Sequence, residues 1–181
     1  MEEHFDVCTP EGVPTGESRP RSEVHRLGLW HRSSHLWLFD GRGRVLLQQR
    51  HPGKETDPGR WDIAVAGHLS AGQTPLEAMV REAREELGLA LDPAALTPLG
   101  TLAKQDVSPG FIDREWQHLF VGLWDGDLGS LVLQADEVVA VRWMAVAEFR
   151  KAVEAGDPAY VDRRADSAAA FAWSEGRSPG R

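Results

Sequence analysis

Cysteine, tyrosine and methionine are scarce in this 181-residue chain, which has one, one and three of them. A lone thiol, Cys8, has no partner within the chain, so an intramolecular disulfide framework is excluded and a reducing cytoplasm is expected. Basic charge is also in short supply. Twenty Lys and Arg stand against 28 Asp and Glu, a formal net charge of -8, which argues against a nucleic-acid polymer as partner because such a surface needs a basic face. A small phosphorylated molecule stays compatible, since a bound metal supplies positive charge locally. Long hydrophobic runs are missing: no stretch approaches the roughly 20 apolar residues of a membrane span. The opening MEEHFDVCTPEG lacks the charged-then-apolar layout of a signal peptide, and no internal repeat is visible. The expectation is one soluble domain with a sizeable core. Its oligomeric state is not encoded in any feature of the sequence.

What the chain does have is alternation of strand-like and helix-like segments. A first strand is expected near residues 4–8, followed by turns across 9–22, which are rich in Pro, Gly and Ser. His35–Phe39 and Val45–Arg50 flank Asp40-Gly41-Arg42-Gly43, a hairpin signal. Trp61–Ala66 is expected to form one short strand ending at Gly67, with Glu115–Trp124 and Val138–Met144 as later strands. Thr74 and Pro75 open a helix as N-cap and first helical residue; Leu76, Met79, Val80, Ala83 and Leu87 form its apolar stripe, and Gly88 ends it. Ala147–Glu154 and Asp162–Trp173 are expected to be helical, giving an α/β domain with helices packed on a mixed sheet.

On the Thr74 helix, Glu82, Glu85 and Glu86 recur at i, i+3 and i+4, which stacks three mutually repelling carboxylates on one face beside the apolar stripe. Hard oxygen ligands of this kind suit Mg2+ or Mn2+; the bland alternative is an acidic surface partnered by Arg81 and Arg84. Arg50 and Lys54, just before the Trp61 strand, either contact phosphate or are solvated loop cations. Arg81 either binds phosphate or braces the glutamates, and Trp61 either stacks on a substrate ring or belongs to the core.

The wider pattern is more specific. Gly67, five residues, Gln73, seven residues, then Arg81-Glu82-Ala83-Arg84-Glu85-Glu86-Leu87-Gly88-Leu89 closely resembles the Nudix box. The resemblance implies an α/β/α sandwich with helices on a mixed central sheet, over a single domain at 1–174. Within it, residues 67–89 are the box and 1–28 an N-terminal extension, with a disordered tail at 175–181. It also implies hydrolysis of a nucleoside diphosphate linked to another group, with Glu82, Glu85 and Glu86 holding Mg2+ or Mn2+, and Glu85 or Glu86 serving in catalysis. Gln73 departs from the family's usual Glu, keeping a hydrogen-bonding oxygen but losing the charge.

Outside the box, His25, His31, WLFDGRGRVLLQQR, Gly67-His68 and Asp113-Arg114-Glu115 resemble the type 1 isopentenyl-diphosphate isomerase branch of the same superfamily. That resemblance implies a second metal site at His25, His31 and His68 with Glu115, Gln117 falling where a further glutamate belongs. The branch's acid/base cysteine position is Ala66, and its acid/base glutamate is replaced by Gln117. Hydrolysis is therefore the leading expectation, ahead of isomerase-type chemistry and of a non-catalytic module that binds a diphosphate ligand.

Overall fold

A computed structural model describes residues 2–177. Nine strands and four α-helices are assigned among them, with order β1 His4–Cys8, β2 Pro14–Pro20, α1 Arg21–Leu27, β3 Trp30–Phe39, β4 Arg44–Arg50, β5 Trp61–Ile63, β6 Val65–His68, α2 Pro75–Leu87, β7 Thr97–Ser108, β8 Phe111–Leu123, β9 Val138–Ala145, α3 Val146–Ala155 and α4 Arg164–Glu175. The architecture is the expected α/β one, with helices on a mixed sheet.

The hub is β3. It runs parallel to β8 over its whole length, from Trp30 opposite Arg114 to Phe39 opposite Leu123, and antiparallel to β6 from Ser33 opposite His68 to Leu36 opposite Val65. Strand β7 extends this sheet beyond β8, while β4 pairs with β5 and β9. The hairpin between β3 and β4 is closed by Asp40, whose carboxylate accepts from the Arg42 and Arg44 amides at 2.7 and 3.0 Å and from Arg44 Nε at 2.6 Å.

Period-two alternation explains the unbroken apolar runs in β3 and β4. Leu36, Leu38 and Leu46 point to one core with Met79, Ala83 and Leu87 of α2. Trp37, Phe39, Val45 and Leu47 point to the other, with Phe149 and Val153 of α3 and Ala170 and Phe171 of α4. Both faces of these strands are covered, so both sets of side chains are apolar.

Helix α2 is fixed at both ends by its sequence. Thr74 Oγ1 accepts from the Glu77 amide at 3.3 Å, the Glu77 carboxylate accepts from the Thr74 amide at 2.9 Å, and Gly88 adopts φ 64° to terminate the helix.

Three expectations change. Residues 14–20 are a strand rather than turns, because pairing with β1 satisfies their backbone, and Pro14 and Pro20 stand at its ends, where they interrupt little of the ladder. The segment 61–66 is two strands, β5 against β4 and β6 against β3, broken at Ala64 as the chain switches partners. Helix α4 extends through Glu175, whose carboxylate pairs with Arg150; of the rest of the expected tail, Gly176 and Arg177 form a turn and 178–181 lie outside the described residues. No helix among the described residues is long and apolar enough to cross a membrane.

Candidate functional site

Two clefts meet along β6, and Ala66, Gly67 and His68 line both. The first, of about 550 Å³, is the glutamate cleft. Helix α2 places Glu82 and Glu86 against the sheet at its base, and Gly67 permits the approach: a β-carbon there would lie 2.5 Å from Glu82 Cδ. Glu86 is 7% exposed, and its Oε2 accepts from Gln48 Nε2 at 3.0 Å. Burial, then the neighbouring Glu82, pushes the Glu86 carboxyl up to about 8; burial also raises Glu82. Glu85 is exposed and accepts from Arg81 Nη1 at 2.7 Å.

Arg81 holds the cluster together. Its Nη2 donates to Glu82 Oε1 at 2.9 Å and to both the His68 carbonyl and Gln73 Oε1 at 3.3 Å. The same Gln73 oxygen accepts from the Ser70 amide at 3.0 Å, so the amide that replaces the expected Glu still ties the loop to the helix. Lys54 is on the cleft wall, paired with Glu137. Arg50 lines both clefts, but its guanidinium donates to the Thr56 carbonyl at 2.9 and 3.2 Å and lies 3.6 Å from Asp62. Trp61 lines neither cleft; its ring lies under Arg142, 4.0 Å from the guanidinium carbon.

The second cleft, of about 510 Å³, is the histidine cleft. His68 and Asp113 of its wall belong to a cluster in which ligand atoms of His25, His31, His68 and Asp113 all lie within 4.8 Å of one another. His31 Nδ1 is 3.0 Å from the Leu29 carbonyl, a contact that places its proton there and turns the Nε2 lone pair toward the cluster. Nε2 of His31 and of His25 stand 3.4 and 3.7 Å from Asp113 Oδ1, too loose for hydrogen bonds. His68 Nε2 lies 3.2 Å from Glu115 Oε1 without forming a well-aligned hydrogen bond. Burial, then the other imidazoles, lowers His25 to about 3, and burial with His68 lowers His31 to about 4. Burial and Glu115 raise Asp113 to about 7. Burial opposes ionisation of Glu115 too, but the His68 imidazole holds its carboxyl well below the usual range.

His25 and His31, neutral imidazoles whose Nε2 atoms make no hydrogen bond, stand beside the Asp113 carboxylate and form a donor set that fits Mn2+ or Zn2+, while His68 Nδ1 lies 3.3 Å from Arg21 Nη1. The geometry thus brings His25, His31 and His68 together as expected and adds Asp113. Glu115 adjoins the group, and Gln117 donates to Glu115 Oε2 at 2.7 Å. The signal for Asp113 was available, since 113, 115 and 117 alternate onto one face of β8.

A further group had no local signal in the sequence. Arg163, just before α4, grips Asp62 with two hydrogen bonds of 2.7 and 2.8 Å and also contacts His35, whose ring is 3.3 Å from Asp166. Cys8 is buried on β1, and no thiol lines either cleft.

Comparison with known proteins bears on this arrangement. Residues 29–163 match the model of the NUDIX domain family. The chain is 41% identical over 165 residues to Nudix hydrolase 3 of Arabidopsis thaliana, covering 88% of the chain but only 21% of that protein's length. It is 36% identical over 147 residues to an isopentenyl-diphosphate Delta-isomerase of Streptomyces coelicolor, covering 80% of this chain and 72% of the other. In fold it is similar to DR0079 of Deinococcus radiodurans, with TM-score 0.69 and 23% identity, covering 88% of this chain and 94% of that one.

Proposed function

The chain belongs to the Nudix family, and on that premise we propose that it is a divalent-metal-dependent hydrolase of a diphosphate linkage in a nucleoside diphosphate or related small molecule. The observation that carries the reading is the pair of half-buried Glu82 and buried Glu86. Glu86 has no cationic hydrogen-bond partner among the described residues, and burial, then the neighbouring Glu82, pushes its carboxyl up to about 8. Glu86 in that state, beside the Arg81-paired Glu82, offers hard oxygen donors that fit Mg2+ or Mn2+. Glu82 and Glu86 would hold the ion, with Glu85 beside them. When bound, it supplies positive charge to the phosphoryl oxygens and a lowered pKa for attacking water.

The chain's own groups do the rest. Arg81 orients Glu82 and Glu85 through its two terminal nitrogens, and Gln48 fixes one oxygen of Glu86, leaving the other for the cleft. Whichever of Glu85 and Glu86 is not engaged takes the water proton. Lys54 and Arg50 stand where phosphate oxygens would pass, and Lys54 must leave Glu137 to reach them.

Isomerase-type chemistry is favoured by relatives bearing that name, but moving protons across a hydrocarbon needs an acid and a base. The equivalent positions present the methyl of Ala66 and the amide of Gln117, and no thiol lines the cleft. The test is release of phosphate or a nucleoside monophosphate from a diphosphate panel with Mg2+ or Mn2+. Turnover that survives Glu86→Gln unchanged would refute the carboxylate mechanism, and tight binding without any turnover would leave a non-catalytic module.

A further inference from the structure

Strand β7 is bonded to β8 along one edge, from Thr97 opposite Val121 to Ser108 opposite Phe111, and no other strand pairs with it among the described residues. A strand edge of unpaired N–H and C=O groups is a template for another strand. The first part of this edge is blunted, because Pro98 has no amide hydrogen and the register slips between Pro98 and Gly100. From Thr101 to Ser108 the register is unbroken and the sequence holds no proline. Strand β2 is also an edge, but it is shorter and has Pro14 and Pro20 at its two ends.

The turn that follows β7 decides which residues face outward. Ser108 and Phe111 flank the two-residue turn Pro109-Gly110 and so form a hydrogen-bonded pair. Alternation along the ladder then turns the backbone of residues 102, 104 and 106 toward β8 and that of 101, 103, 105 and 107 outward. In a two-fold antiparallel pairing of two β7 strands, these outward residues must oppose one another, which places the axis at a residue. An axis at Lys104 sets two lysines face to face, and an axis at Asp106 sets two aspartates. An axis at Ala103 leaves both charges unmatched and runs into the slip at Pro98. Only an axis at Gln105 sets Lys104 opposite Asp106 of the second copy and Asp106 opposite its Lys104. The same register covers Val107, which is 65% exposed, with Ala103 of the second copy.

We propose that two copies of this chain associate by antiparallel pairing of β7 with β7 about a two-fold axis at Gln105. Within one chain Lys104 Nζ already lies 2.8 Å from Asp106 Oδ2, and the pairing joins the two such ion pairs into a ring of four alternating charges. A charged edge strand ordinarily repels a second strand; here the charges select one register. Lys104 and Asp106 also line the histidine cleft, and directly opposed residues share a sheet face. The dimer therefore brings a lysine and an aspartate of the second copy to the rim of each histidine cleft.

Sedimentation equilibrium of the full chain, from micromolar to millimolar concentration at low salt, tests the pairing. The wild type is expected to pass from monomer to dimer. Asp106→Lys and Lys104→Asp, each alone, set like charges against one another in the dimer and are expected to weaken association on the order of tenfold. Mixing the two variants faces every lysine with an aspartate again, so the mixture is expected to regain dimerisation, which also shows that both variants fold. Gln105→Pro removes only an outward N–H and is expected to abolish the dimer. A wild type that stays monomeric throughout, its edge left for a strand of some other protein, overturns the proposal. So does a dimer that both charge variants leave unchanged, or a mixture that associates no better than its components.

Discussion

Two buried carboxylates on neighbouring elements, Asp62 and Glu86, are driven in opposite directions. Asp62 is 1% exposed; burial would raise its pKa, but the Arg163 guanidinium outweighs this and holds it below its ordinary value. Glu86, nearly as buried, is pushed up to about 8 by that burial and then by the neighbouring Glu82, and its side-chain hydrogen-bond partner is the uncharged amide of Gln48. The same chemical group is neutralised by the protein in one place and left unneutralised in the other. Structural charge is closed off by a partner from within the chain, whereas the open charge is kept for something that arrives from solution.

The largest expected effect breaks the closed side. Arg163→Met leaves Asp62 buried with the Ile63 amide and the longer contact to Arg50, and should cost about 3–5 kcal/mol by denaturant unfolding. Glu86→Gln acts on the open side with the other sign. It removes a poorly tolerated charge, so the metal-free protein should melt higher near pH 8, while hydrolysis falls on the order of 100-fold. A melting temperature that drops in both variants would erase the contrast.

Gly67→Ala drives a methyl into Glu82 without touching the closed network, and should lower turnover roughly tenfold with little change in unfolding midpoint. The smallest effect is the pH dependence of the wild type. Glu86 binds its proton more tightly folded than unfolded, so its contribution favours the folded state at low pH and is lost as pH rises from the ordinary carboxyl value of 4.5 to about 8. Added Mg2+ should therefore raise the melting temperature more near pH 8 than near pH 5, by a few degrees. An equal shift at both pH values would detach Glu86 from metal binding.

These two sides were not equally legible in the sequence. Helix α2 and its glutamates were, because its N-cap, terminal glycine, apolar stripe and carboxylate spacing all lie within fifteen residues, Thr74 to Gly88. The hairpin around Asp40 was local in the same sense. Strand β7 was not anticipated: it is an edge strand with much of its length exposed, and carries no strong apolar alternation. Helix α1 was also missed, being only seven residues long with two buried side chains. The Arg163 network was invisible because Asp62 and Arg163 are 101 residues apart, and nothing local marks either as the other's partner. Asp113 is the intermediate case, readable by the period-two argument that placed Glu115 with Gln117.

Arg50 at the end of β4 and Glu55 and Thr56 of the loop leading to β5 line both clefts, whereas Lys104 and Asp106 of β7 border the histidine cleft alone. An insertion or exchange in that loop alters the diphosphate seat and the neighbouring space together, so selectivity there cannot drift independently of turnover. Strand β7 carries no such linkage. As an edge strand facing one chamber, it is the place where a lineage, or an engineer, can change what the protein accepts and leave its chemistry untouched.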